Sequence, residues 1–221
     1  MKGVSVSTAC GPVSSDVLRS TIDLVDEDGS AAILSGRKRG RQARTRLADE
    51  LEAFERGSVI GLRTSGVQFM NYSFADECFG VLMQELYGGS VADRYPVLVL
   101  DFESQQDLLE ELQVSLEKRK LALTCLDSSY ETSTAPEATI VGELPEYLWQ
   151  TLEAVEPSDT NEALAEKLNI KLTTCNNRTD RLAKLRLIKR QRRSGELGYK
   201  QFQFFPVLSS ETLNFPNNLT H

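Results

Sequence analysis

The residues able to do covalent or acid–base chemistry are few and poorly placed for it. The chain of 221 residues has one histidine, His221. A Ser–His or Cys–His nucleophile pair, or a zinc site built on imidazole, therefore lacks its base or its ligands. The four cysteines (Cys10, Cys78, Cys125 and Cys175) are scattered, with no Cys-x-x-Cys pair. Such usage predicts buried free thiols in a reducing compartment. Asp76 and Glu77 are adjacent, so on a helix they point to different faces. Asp101 closes an apolar run at the C-terminal end of a strand, where α/β folds often place functional groups. No partner base, metal cluster or phosphate loop accompanies it. The expectation is a protein without catalytic residues, metal or cofactor.

Charge is the more informative chemistry. A formal net charge of −7 and a pI near 5.0 argue against a wholly basic nucleic-acid binder. The cations nevertheless gather in two stretches. Gly36–Arg46 holds six basic residues and no acid. There Arg37, Lys38, Arg39, Arg41 and Arg44 are candidates to bind an anion or a partner's acidic face, with Gly36 and Gly40 allowing close backbone approach. A solvated basic loop is the equal alternative, and the glycines match neither a P-loop nor a dinucleotide fingerprint. The second stretch, residues 171–200, carries ten Lys or Arg against two acids, Asp180 and Glu196.

The elements that must position these groups follow from periodicity. Val4 and Val6 alternate in a short strand at residues 3–8. Ser14 or Ser15 caps a helix with Val17, Leu18, Ile22 and Val25 on its apolar side, ended by Asp28-Gly29. Ala31–Leu34 is a short strand. From about Gly40 a helix carries Ala43, Leu47, Leu51 and Phe54, so its first cations oppose the helix dipole. Val59–Leu62 is a strand, and Ser65–Met70 a loop. Ser73 then stands as N-cap of a further helix, with Asp76 as the acid of an approximate capping box. Phe74, Cys78, Val81, Leu82 and Leu86 form its buried face, and Gly88-Gly89 ends it. Val97–Phe102 is an apolar run expected to be covered on both faces. A helix bearing Leu108, Leu109, Leu112 and Leu116 and a strand at Leu121–Leu126 complete an α/β layer domain over residues 1–127.

Composition changes at Asp127–Gly142, rich in Ser, Thr and Pro, and a linker is expected at residues 128–142. Leu144, Leu148, Leu152 and Val155 mark a helix. Ser158 or Asp159 caps a second with Ala163, Leu164, Ala165 and Leu168, and Thr173 or Thr174 caps a third running through Leu185. Leu187–Arg193 and Tyr199–Phe205 then form a hairpin about a turn at Ser194–Gly198. The tail, residues 208–221, is expected to fray, with Phe215 as an anchor or dimer contact.

Two resemblances accompany these elements. A strand, a turn and then Ser73-Phe74-Ala75-Asp76-Glu77-x-Phe79-Gly80 opening a helix resembles the STAS-like family of uncharacterised domains, over Ala31–Gly89. That family is related to STAS domains, in which a serine at this helix start is phosphorylated by a partner kinase. The resemblance thus implies a phosphosite at Ser73, and Arg63 stands where the family usually has an acid. Three helices and a hairpin over residues 143–207, with Asn177-Arg178-x-x-Arg181-Leu182-x-x-Leu185, resemble the winged helix-turn-helix of many bacterial transcription regulators.

On that template the third helix meets base edges and the hairpin is the wing. Thr173, Thr174, Asn176, Asn177 and Arg178 are candidates for base or backbone contact. Arg181 and Lys184 would reach phosphate, and Arg190, Arg192, Arg193 and Lys200 would line the wing. Asp180 opposes this, because an acid on such a helix repels phosphate. The expectation is a cytoplasmic, homodimeric regulator that binds double-stranded DNA, its STAS-like domain receiving a signal or protein partner. The alternative is a protein-only adaptor, such as a phosphoswitch or a defence-system subunit. No apolar run approaches the roughly 20 residues that span a bilayer.

Overall fold

The structure is a computed structural model that describes residues 18, 20–25, 32–133, 137–194 and 200–208. The strand expected at residues 3–8, the caps at Ser14 and Ser15, the turn after Ser194 and all of the expected tail but its first residue lie outside them; that residue, Leu208, does not fray but is buried against the sheet.

The chain is mixed α/β, and its main sheet is mostly parallel. Four strands run in the same direction: β1 (Ser20–Asp23), β3 (Val59–Arg63), β5 (Tyr95–Leu100) and β6 (Ala122–Asp127). β7 (Ala138–Gly142) adds antiparallel to β6, giving the order β1-β3-β5-β6-β7. Each crossover steps one strand further in the same sense. Crossovers of one hand then place all their helices on one face. These are α1 (Arg37–Ala53), the broken helix α2 (Tyr72–Ala75), π turn Asp76–Gly80 and α3 (Val81–Tyr87), and α4 (Gln106–Arg119). Ile22, Ile60, Leu62, Leu98, Leu100, Leu123 and Cys125 meet them in the main core. The opposite face presents Tyr95, Val97, Val99, Leu126 and Ala138 to Leu18, Val207 and Leu208 instead. β5 is consequently buried at every position.

Several expectations are corrected. Ser20–Asp23 is a strand rather than a helix, because Ile22 and Leu24 alternate inward and Asp23 receives both Nε and Nη2 of Arg63 at 2.9 and 3.1 Å. Val67–Met70 is not a loop but β4, which pairs in parallel with β2 (Ala32–Leu34) as a separate ribbon. The stretch expected to be a linker contains β7. Only residues 143–145 separate β7 from α5 (Glu146–Ala154). After α5 come α6 (Asn161–Lys167), α7 (Leu172–Lys184) and the hairpin of β8 (Ile188–Ser194) with β9 (Lys200–Pro206). This C-terminal unit is packed onto the sheet domain. Arg186, at φ 63°, donates Nη2 to the Leu86 carbonyl at 3.0 Å, and the Arg190 amide donates to the Tyr95 hydroxyl at 3.4 Å.

The caps also move. Asn71, not Ser73, caps α2: its Oδ1 accepts from the Phe74 amide at 3.0 Å and from the Gly36 amide at 3.3 Å. One side chain thus serves the starts of two helices, which fixes the frame and leaves Ser73 inside the first turn. Thr160 caps α6 in place of Ser158 or Asp159. α7 begins after Lys171 without a side-chain cap, so Thr173 and Thr174 lie inside its first turn.

Candidate nucleic-acid interface

α7 is positioned by its buried stripe. Cys175, Thr179, Leu182 and Ala183 recur at helical spacing and face inward. Thr179 Oγ1 donates to Asn161 Oδ1 at 2.8 Å, so a partly buried polar bond fixes α7 against α6. The remaining surface divides in two. At about 100° per residue, Thr173, Asn176, Asn177, Asp180 and Lys184 form one outward face, and Thr174, Arg178 and Arg181 lie on the flank toward α5. Thr173, Asn176, Asn177 and Lys184 are exposed.

The flank is occupied within the chain. Arg178 donates Nη1 to the Tyr147 carbonyl at 3.2 Å, with its guanidinium 5.3 Å from the Tyr147 ring centroid. Arg181 donates Nη1 to the Tyr147 hydroxyl at 2.8 Å. Both arginines tie α7 to α5, and Tyr147 is the site residue that pattern reading missed. Its signal was available: an aromatic beside the Leu144, Leu148, Leu152 stripe rather than on it.

Asp180 organises the outward face. Lys184 reaches it at 2.8 Å and Arg190 at 3.1 Å. Burial raises the carboxyl's pKa, but the hydrogen bonds and charges of Lys184 and Arg190 outweigh it, and Asp180 sits below the usual range. Arg190 also stacks 4.9 Å from the Phe202 ring. Lys189 is turned toward Tyr95, and desolvation lowers its pKa. Arg192 is exposed on β8. The side chains of Arg193 and Lys200 lie outside the described residues. The local cation excess is therefore smaller at the surface than in the sequence. What stands clear is a polar face of Thr173, Asn176 and Asn177 on α7, with Arg192 exposed on β8.

The first basic stretch is arranged differently. α1 begins at Arg37, directly after Gly36 at φ 84°, one turn earlier than the expected start near Gly40. Gly40 serves packing rather than anion approach: a Cβ there would meet Glu77 Cβ and the Phe74 carbonyl at 3.0 Å. Arg41 and Arg44 are paired with Glu77 at 3.3 and 3.1 Å, and Arg39 donates to the Ile33 carbonyl at 2.9 Å. Arg37 and Lys38 remain exposed. The π turn directs the two adjacent acids apart, Glu77 to α1 and Asp76 to α4. Asp76 is not a capping acid. It accepts from Arg119 Nε at 2.8 Å, Arg119 Nη2 at 3.1 Å and Ser115 Oγ at 3.2 Å. Gly80 makes this possible, since a Cβ there would stand 2.5 Å from Ser115 Oγ.

The candidate chemical groups are engaged structurally. Asp101 Oδ1 accepts from the amides of Glu103 and Ser104, both at 2.9 Å, and the Ser104 bonds lead in holding its carboxyl below the usual range. Cys78, Cys125 and Cys175 are buried, and desolvation pushes the Cys78 thiol up to about 12. No helix is long and apolar enough to cross a membrane among the described residues. No family model, curated protein or solved structure matches this chain.

Proposed function

We propose that the chain is a DNA-binding regulatory protein. In this reading the sheet domain is STAS-like and receives a partner or signal, and residues 143–207 are a winged helix-turn-helix that binds double-stranded DNA. α7 enters the major groove, where the side-chain amides of Asn176 and Asn177 can pair bidentately with adenine. Thr173 contacts the backbone or a base edge, and Arg192 on the hairpin contacts phosphate. The observation that carries the reading is the exposed Thr173–Asn176–Asn177 face of α7, a helix fixed on its other sides by α5 and α6, with Arg192 exposed on the hairpin. Arg178 and Arg181 become positioning residues, because their partners are in α5.

The test is fluorescence anisotropy with a duplex selected from a random pool, repeated across a salt series. Binding should weaken as salt rises, in proportion to the phosphates neutralised. Asn176→Ala with Asn177→Ala should cost about tenfold or more on the selected duplex with little change of slope. Arg192→Ala should flatten the slope by roughly 0.9, one phosphate contact. No duplex binding at low salt would refute the proposal. It would favour the second reading, a protein-only adaptor. That reading draws on Leu172 and Tyr147, exposed apolar side chains on α7 and α5, 42% and 39% accessible.

A further inference from the structure

The ribbon of β2 and β4 carries the least explained surface of the sheet domain. Ile33 stands opposite Phe69 in its register. They are 56% and 45% exposed, the two most exposed large apolar side chains among the described residues. Their neighbours in the strands, Leu34 and Met70, are buried, so the ribbon has an inner face and an apolar outer ridge.

The ridge is flanked by opposite charges. On one side is the first turn of α1, where Arg37, Lys38 and Arg39 are exposed and Arg39 Nη1 holds the Ile33 carbonyl at 2.9 Å. On the other side is α4. It begins beside β4, with Gln105 Nε2 donating to the Val67 carbonyl at 2.8 Å. It ends beside α2, with Lys118 Nζ 4.3 Å from the Tyr72 ring. At about 100° per residue, Asp107, Glu111 and Val114 share the α4 flank of Lys118. Val114 is itself 41% exposed and extends the apolar strip.

We propose that this ridge is a homodimer interface, with a second copy of the chain as its occupant. A two-fold axis through the ridge exchanges its flanks, so the contact is isologous. Ile33 and Phe69 of one copy meet those of the other, and the basic flank of each faces Asp107 and Glu111 of its partner. The one cation of the α4 flank, Lys118, is held over Tyr72, and a patch basic on one side and net acidic on the other is its own complement, whereas a uniformly charged patch would repel its copy. The inference does not depend on the DNA reading.

Sedimentation velocity of the full chain over a concentration series tests it. The wild type should show a concentration-dependent dimer, and Phe69→Lys should be monomeric throughout, with circular dichroism establishing that it is folded. Ile33→Ser is the milder variant if Phe69→Lys unfolds, and it should weaken association at least about tenfold. Arg37→Glu with Lys38→Glu should weaken the dimer, and so should Asp107→Lys with Glu111→Lys. The reversal at α1 suits its helix dipole, so loss of fold is not expected. Combining all four changes should restore association. A wild type that stays monomeric, or a dimer indifferent to Phe69→Lys and Ile33→Ser, overturns the proposal. Failure of the fourfold variant to recover overturns the two-fold arrangement.

Discussion

The two basic stretches look alike in composition and differ in the fold. In the first, Glu77 from the π turn takes Arg41 and Arg44, a backbone carbonyl takes Arg39, and the cations become part of how α1 packs. In the second, Asp180 takes Lys184 and Arg190, Tyr147 takes Arg178 and Arg181, and a neutral polar face is left exposed. Charge excess in a sequence therefore measures what a surface could offer before its tertiary partners are subtracted. The two subtractions differ in strength. Glu77 is largely buried with its side chain 14% exposed, whereas Asp180 is 42% exposed and its pairs can exchange with an approaching phosphate.

The largest effect expected from breaking this contrast lies on the buried side. Arg119→Ala removes the bidentate partner of Asp76 and should cost about 2–3 kcal/mol in urea unfolding. The pH dependence carries a sign. The hydrogen bond from Arg119, working against burial, holds the Asp76 carboxyl below its usual range. Its stabilisation is complete above the unfolded value, about 3.9, and is lost as pH falls through the lower folded value. Asp76→Asn should thus lower stability at neutral pH and flatten the acid limb. An unchanged acid limb would show that the pair does not form.

Next, Glu77→Ala should cost roughly 1 kcal/mol, release Arg41 and leave Arg44 with Glu85 alone, 3.6 Å away. Retention on heparin should then rise. A wild type that already elutes as late as the variant would show that those arginines are not sequestered. Third, Asn71→Ala should cost about 1–2 kcal/mol, because one oxygen caps two helix starts, whereas Ser73→Ala should stay within about 0.5 kcal/mol. The reverse ranking would return the capping role to Ser73.

The smallest effect concerns the exposed side. Asp180→Asn should leave stability nearly unchanged and free Lys184 and Arg190; in the proposed DNA-binding reading it should tighten duplex binding a few-fold at low salt. The salt slope should steepen by roughly 0.9 for each cation that gains a phosphate. Equal slopes would place Asp180 away from the duplex.

Much of this fold was legible from periodicity: α1, α3 and α4, the fully buried β5, and three helices with a hairpin. What was lost required distant partners. Leu18, Ile22 and Val25 fit a helical period, and only pairing of Ser20–Asp23 with Ile60–Arg63 makes the segment a strand. Val67–Met70 has a glycine turn before it and exposed Gln68 and Phe69 within it, so it shows no alternation. Ala138–Gly142 was hidden by the Ser, Thr and Pro that precede it, although β6 supplies its whole ladder. Ser73 and Asn71 are both good caps, and the Gly36 amide, 35 residues away, decides between them. Of the candidate interface, the polar face of α7 followed from spacing. The turning of Arg178 and Arg181 toward Tyr147 did not, because no local rule relates α5 to α7.

The sheet face covered by Leu18, Val207 and Leu208 also bears on synthesis. Every strand of that sheet has been made by residue 142, yet two of the side chains that shield it arrive 65 residues later. A ribosome partway through the C-terminal unit therefore holds a sheet with Tyr95, Val97 and Val99 incompletely covered. Synthesis of Val207 and Leu208, rather than completion of the sheet, is what closes this surface against nascent-chain aggregation.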